Sequence, residues 1–409
     1  MLLKSILAVA VVYIAAFVVI AFSEGRRQQD LVLDEPGYLQ HGIPLARAFW
    51  HGLVARDFSD PIWKKMLDNY GTPSPKVGVL FFGVASIALN IDPDLHDTSA
   101  VPALRLLIAA ISAACVALIF MLGRCSASNV TGGVAAVLLL ANPIFRSIQT
   151  AVLADALLAL FVLLALWSLQ HLDANLRQQR GAWRWFVAFG AFAGLAVSTK
   201  LYGFAVYLVF VFVVARHAWL KSRGRALLAA TALLVFALGA AIFVGTNPTL
   251  YDYHDFWPAL RTITAGHLHS QRGVPNVLQV DAFPHLLTYP FIVFRGAAFD
   301  LHNLYASASA ADFPAIVAGY VICLLGIVSA ARKKSYLPVV WFVAAFLVVG
   351  YVVMTLGTNW IVAKVFLFPA LAVVWASSQA LDLVDTQVRR LILSRRGPVT
   401  SRKKQETLP

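Results

Sequence analysis

Long apolar runs separated by short basic loops set the pattern of this chain. Runs over about 2–22, 101–123, 129–145, 148–171, 184–199, 201–216, 226–246, 310–331, 337–357 and 360–379 approach or reach the ~20 residues that a helix needs to cross a bilayer. They predict an all-α, polytopic membrane protein of about ten transmembrane helices. The loops Arg124–Asn129, Arg177/Arg180/Arg184, Arg216-Lys221-Arg223-Arg225 and Arg332-Lys333-Lys334 then fall on one face, which the excess of positive charge marks as cytoplasmic. Two further apolar stretches do not fit as spans. Val77–Ile91 is short, and a crossing there would carry Asp92, Asp94 and Asp97 to the basic face and Arg124 to the other. Phe283–Ala298 is interrupted by Pro284, Pro290 and Arg295, so both are expected to be juxtamembrane pieces.

That count puts both termini in the cytoplasm and leaves two long outer segments, 23–100 and 247–309. The first interleaves Asp57, Asp60, Lys64 and Lys65 with Phe49, Trp50, Phe58 and Trp63, as helices at a membrane interface do, and Gly42 and Pro44 imply that its first helix is bent or broken. The second carries Asp252, Asp255, Arg261 and four histidines, His254, His267, His269 and His285. The expected organisation is one membrane domain over 1–385 and a basic cytoplasmic tail over 386–409.

Composition adds little beyond class. With 60% hydrophobic residues, mean hydropathy +0.74 and 13% charged residues, the net charge of +13 needs no nucleic-acid partner, because the Lys and Arg sit in loops and tail. Cys115, Cys125 and Cys323 are scattered, and neither a disulfide nor a metal site is expected from them.

The candidate chemistry lies where polar residues meet the outer ends of the runs. Asp34 and Glu35, in Leu33-Asp34-Glu35-Pro36-Gly37-Tyr38, follow the first run. They can act as a general base or ion site, or Asp34 can cap a helix whose first turn holds Glu35 and Pro36; the residues alone leave both open. Lys76, Arg105, Lys200, Arg272 and Lys364 are expected at the same boundary, where a cation either holds an anionic group or snorkels to water. Asp155 falls inside its run, and a structural ion pair with Arg105 or Arg146 is the preferred reading. Tyr38 and Tyr202 can stack on a sugar or anchor the interface. His267-x-His269 is weak spacing for a metal; a divalent ion at Asp34/Glu35 is compatible with the residue types but is not expected.

Several segments, in order, resemble the GT-C membrane glycosyltransferases, in the branch of protein O-mannosyltransferases and lipid A aminoarabinose transferases. They are Asp34-Glu35-x-x-Tyr38, Ser74-Pro75-Lys76-Val77-Gly78, Arg105, Ala141-Asn142-Pro143 with Ala154-Asp155-Ala156-Leu157-Leu158, and Gly194 through Thr199-Lys200-x-x-Gly203. Lys364-Val365-Phe366-Leu367-Phe368-Pro369 is a looser match near the C-terminus, and Lys76 stands where the family has a proline. The resemblance implies transfer of a hexose or pentose, with inversion, from a polyprenyl phosphate to a glycan, lipid or protein acceptor on the outer face of the plasma (inner) membrane. It assigns catalysis to Asp34 and Glu35, and substrate binding to Tyr38, Lys76, Arg105, Asp155, Lys200, Tyr202, Arg272 and Lys364. No cofactor is expected, since the lipid-linked sugar is a substrate. Such chemistry suits these residues: a carboxylate takes the acceptor's proton, and a departing phosphate needs cations rather than an acid. A secondary transporter is the alternative, but it should place ionisable residues at mid-membrane and show inverted repeats. An envelope scaffold would leave Asp34, Glu35 and the outer cations without a role.

Overall fold

The computed structural model describes residues 2–24, 35–59, 62, 77–91, 100–220, 225–247, 250–251, 286–292, 312–356 and 366–381. The described residues form helices and turns, with no strand among them. The labelled helices are α1 (Leu2–Glu24), α2 (Glu35–Ala55), α3 (Val77–Ala88), α4 (Val101–Ser126), α5 (Asn129–Ala141), α6 (Pro143–Ile148) and α7 (Ala154–Arg177), followed by α8 (Trp183–Thr199), α9 (Ala205–Leu220), α10 (Arg225–Gly245), α11 (Phe313–Arg332), α12 (Leu337–Leu356) and α13 (Leu367–Ser378).

Among the described residues, six of the apolar runs form helices long and apolar enough to cross a membrane: Ser5–Phe22, Val101–Ser126, Ala154–Arg177, Leu201–Leu220, Arg225–Gly245 and Phe313–Arg332. Shorter apolar helices fill Asn129–Ala141, Leu337–Tyr351 and Leu367–Ser378, and the 17-residue α8 accounts for the remaining run. Two expected boundaries move. The runs at 129–145 and 148–171 are not two simple spans, because Asn142 interrupts the first. Its Oδ1 accepts the N–H groups of Ile144 (3.0 Å) and Phe145 (3.1 Å), ending α5 and capping α6 with Pro143 in the first turn. The helix of the second run starts only at Ala154. Nor is α2 broken: it runs continuously through Pro44, whose ring lies on the exposed side.

Small residues bring helices close, as packing without a hydrophobic drive requires. A Cβ on Gly123 would lie 2.9 Å from Gly132 Cα, so α4 and α5 meet backbone to backbone. Likewise a Cβ on Gly194 would lie 2.9 Å from Gly239 Cα between α8 and α10. The α2–α3 crossing is closer still: a Cβ on Gly42 would lie 2.9 Å from Gly83 N, and one on Gly83 would overlap the Gly42 carbonyl.

Helix ends sort into two sets. At one end Arg124 Nη2 donates to Ser5 Oγ, and Ser126 Oγ accepts from Gln170 Nε2 (3.1 Å) and Trp375 Nε1 (3.3 Å). Asp173 gathers groups from α9 and from the α11–α12 turn there too. This is the end that bears the basic loops. At the other end Leu39, Phe82, Ile91, Val101, Leu104, Val152 and Ala154 form one buried cluster. Both ends of α3 stay with it: Gly78 abuts Ala154, and Ile91, just past the helix, lies in the cluster. At ~1.5 Å per residue its 12 residues span about 18 Å, less than a bilayer core. In the second interrupted stretch, a 3-10 turn at Tyr289–Phe291 is buried against Tyr320 and Phe366.

Candidate active site

The apolar cluster at the second end includes immediate neighbours of several polar motif residues. Leu39 follows Tyr38, Leu104 precedes Arg105, and Ala154 and Ala156 flank Asp155. The sequence motifs that are far apart along the chain therefore end on one packed floor. Arg105 is buried at its edge, 5% exposed.

Asp155 stands in the first turn of α7 and is fully buried. Lys200 Nζ donates to both of its oxygens, at 2.7 and 2.8 Å, and Tyr202 Oη donates to Oδ1 at 3.2 Å. The helix N-terminus adds a favourable dipole, so the buried carboxylate is faced by three favourable groups. The ion pair expected with Arg105 or Arg146 thus goes instead to Lys200. The reason is the antiparallel α7–α8 hairpin, which sets Ala154 and Thr199 side by side, with a Cβ on Gly78 falling 2.6 Å from the Ala154 Cβ and 3.9 Å from the Thr199 Cγ2.

The Thr199-Lys200-x-x-Gly203 segment shows what those residue types do here. Thr199 Oγ1 donates to Leu195 O (2.8 Å) as α8 ends, and Lys200 then adopts extended backbone (φ −153°, ψ 139°). A 3-10 turn over Leu201–Phe204 follows, folded so tightly on α8 that a Cβ on Gly203 would lie 2.6 Å from the Ala196 carbonyl carbon. Lys200 is thereby thrown clear of the helix toward Asp155, with 19% of its side chain exposed.

Two other segments close on this pair. Phe368, in the looser C-terminal motif, meets the Tyr202 ring edge-on at 5.1 Å. Tyr251, at the start of the second outer segment, meets Phe58 of the first edge-on at 4.8 Å, and Leu250 packs on Leu201 beside Lys200. Burial raises the Tyr251 phenol above its usual range; it donates to Gly245 O at 2.5 Å.

Of the expected site residues, Arg105, Asp155, Lys200 and Tyr202 are brought to one end of the bundle. Glu35 opens α2 and Tyr38 lies in its first turn, one residue before Leu39. Asp34, Lys76, Arg272 and Lys364 lie outside the described residues, as do the side chains of Glu35 and Tyr38 and the histidines of the second outer segment. Sequence reasoning missed Asp173, a second buried acid of α7, although an acid within an apolar helix is itself a signal.

Residues 59–261 match the family described as dolichyl-phosphate-mannose-protein mannosyltransferase, a stretch that holds Gly78, Arg105, Asn142, Asp155 and Lys200. No curated protein matches the sequence significantly. Among solved structures, the archaeal oligosaccharyltransferase AglB from Archaeoglobus fulgidus, in complex with an inhibitory peptide and a dolichol-phosphate, is similar with TM-score 0.52 and 15% identity over 96% of this chain and 52% of that one. ArnT from Cupriavidus metallidurans bound to undecaprenyl phosphate is similar with TM-score 0.50 and 15% identity over 95% of this chain and 64% of that one. This chain therefore spans about half to two-thirds of the length of those proteins.

Proposed function

We propose that this chain, a member of the GT-C superfamily of membrane glycosyltransferases by family match and fold, transfers a hexose or pentose from a polyprenyl phosphate to an acceptor hydroxyl. The observation that carries the reading is the convergence of the motif segments on the Asp155–Lys200–Tyr202 group at one end of the bundle. The dolichol-phosphate and undecaprenyl phosphate in the similar structures support a polyprenyl phosphate as the carrier.

In this reaction the acceptor oxygen bonds to the anomeric carbon as the bond from that carbon to the phosphate oxygen breaks, inverting the centre. Asp34 takes the acceptor proton, and the pair of electrons leaves with the polyprenyl phosphate. Asp155 holds Lys200 at the open end, where its ammonium meets the phosphate. Glu35 and Tyr38 orient the acceptor, and Lys76, Arg105, Arg272 and Lys364 supply the remaining positive charge around the headgroup. The reaction lies on the outer face of the plasma membrane, with both termini in the cytoplasm, because the basic loops share the opposite end. The acceptor is a lipid-linked glycan, an envelope polysaccharide or a protein.

Purified protein given a panel of polyprenyl-phosphate hexoses and pentoses should release polyprenyl phosphate from one of them. Asp34→Asn should abolish turnover and keep donor binding, whereas Glu35→Gln should be milder. Folded wild-type protein that neither binds nor consumes any donor would overturn the assignment.

A further inference from the structure

We propose that the opposite end of the bundle holds a second site, for the phosphate headgroup of an anionic phospholipid, formed by Arg177 and Arg216 around Tyr336. It stands independently of the chemistry at the Asp155 end. The centre of the site is Asp173, near the C-terminus of α7 and 4% exposed. Arg177 Nη2 pairs with it at 2.5 Å, His217 Nε2 lies 2.8 Å from its Oδ1, and Tyr336 Oη donates to the same oxygen. Arg216 Nη1 donates to Tyr336 Oη at 2.6 Å and lies 3.8 Å from Asp173. Both guanidinium carbons also stand over the Tyr336 ring, 5.0 Å away for Arg177 and 4.1 Å for Arg216.

One carboxylate here faces two guanidinium groups, so the cluster keeps positive charge in excess. Each guanidinium has five N–H donors in a planar fork, more than Asp173 and Tyr336 engage. The two arginine side chains are 44% and 30% exposed, so they open outward from a fixed base. That arrangement is a preorganised receptor for a phosphate oxygen pair, where groups from α7, α9 and the α11–α12 turn meet.

The level in the membrane selects a lipid as the source of that phosphate. Trp219, three residues beyond Arg216, is 85% exposed, and Trp183, at the start of α8, is 73% exposed. Exposed indoles at helix ends mark the headgroup plane. The exposed Lys333 and Lys334 continue the positive surface beside Tyr336.

The test uses delipidated full-length protein in detergent and native mass spectrometry, titrating phosphatidylglycerol against phosphatidylcholine of the same acyl chains. Wild type should bind one phosphatidylglycerol about tenfold more tightly than phosphatidylcholine. The preference should vanish in Arg177→Gln/Arg216→Gln and persist in Lys333→Gln. Glycerol 3-phosphate should not displace the lipid. Equal binding of the two lipids by wild type overturns the proposal, and this comparison stands even if the double variant fails to fold. A preference unchanged in the folded double variant overturns it as well, and displacement by glycerol 3-phosphate makes the ligand a soluble anion.

Discussion

Lys200→Met is the most informative single change, because it separates holding a buried charge from filling a space. In the variant the Asp155 carboxylate, fully buried, retains of its recorded donors only the Tyr202 hydroxyl at 3.2 Å. Removing one partner of a buried pair costs about 3–5 kcal/mol. The lower part of that range applies, since the N-terminus of α7 still contributes up to about 1 kcal/mol toward the stranded charge. Asp155→Asn should cost less, about 1–2 kcal/mol, because Lys200 is already 19% exposed and can extend to water. In Asp155→Asn/Lys200→Met no ion is stranded, so the double variant should be more stable than Lys200→Met alone, with a coupling of about 2 kcal/mol. Equilibrium unfolding in mixed SDS micelles, followed by the fluorescence of the 10 tryptophans, measures all four forms. Losses that add within about 0.5 kcal/mol would refute the reasoning, because non-interacting sites behave that way.

Gly83→Ala should destabilise the α2–α3 crossing by about 3 kcal/mol, since its Cβ overlaps the Gly42 carbonyl; limited proteolysis within α2 reads the loss. Tyr336 gives a pH test: burial first, then its bond to Asp173, push its phenol up to about 12. Its contribution to stability is therefore complete below the unfolded value of about 10 and declines as pH rises toward 12, a slope that Tyr336→Phe should remove from alkaline unfolding curves. Cysteines introduced at Asn90 and Arg180, both exposed, should react with impermeant maleimide from opposite sides of sealed vesicles; labelling from one side would break the assignment of the two ends.

The helices were legible in the sequence because lipid demands long apolar runs whatever the tertiary arrangement. Partner choice was less so. Arg105, Arg146 and Lys200 all stand near the boundary of Asp155, and hydropathy ranks none above another. Chain geometry does: the α7–α8 turn centres near Arg180, so Asp155 and Lys200 return to a similar height on adjacent antiparallel helices. The Asn142 break was hidden for a different reason. An Asn-Pro pair inside an apolar run looks like a tolerated kink, and only the two N–H groups on its Oδ1 show that one helix ends there and another begins. The α2 helix erred in the opposite sense, since Pro44 sits on its exposed side and interrupts less than its residue type suggests.

A single design principle then accounts for both polar ends of α7. Asp155 and Asp173 are 18 residues apart, about 27 Å along a helix, which is close to the thickness of the hydrocarbon core. Each is buried where an isolated carboxylate would be unstable, and each faces a partly exposed cation from a neighbouring segment, Lys200 at one end and Arg216 at the other, where Arg177 of α7 itself makes the shorter pair. A flexible Lys or Arg at a membrane boundary would otherwise lose rotamer freedom on meeting an anionic group. Fixing it beforehand on a carboxylate places that cost in folding rather than in binding, and holds a cationic group in a set position at headgroup level on each side. The tyrosines, Tyr202 and Tyr336, complete the same arrangement by donating to the acid while lying against the cation. On this argument Tyr202→Phe should weaken donor binding more than it weakens the fold, because the hydroxyl orients a pair that survives without it. Equal loss in donor affinity and in unfolding free energy would mean that Tyr202 merely packs.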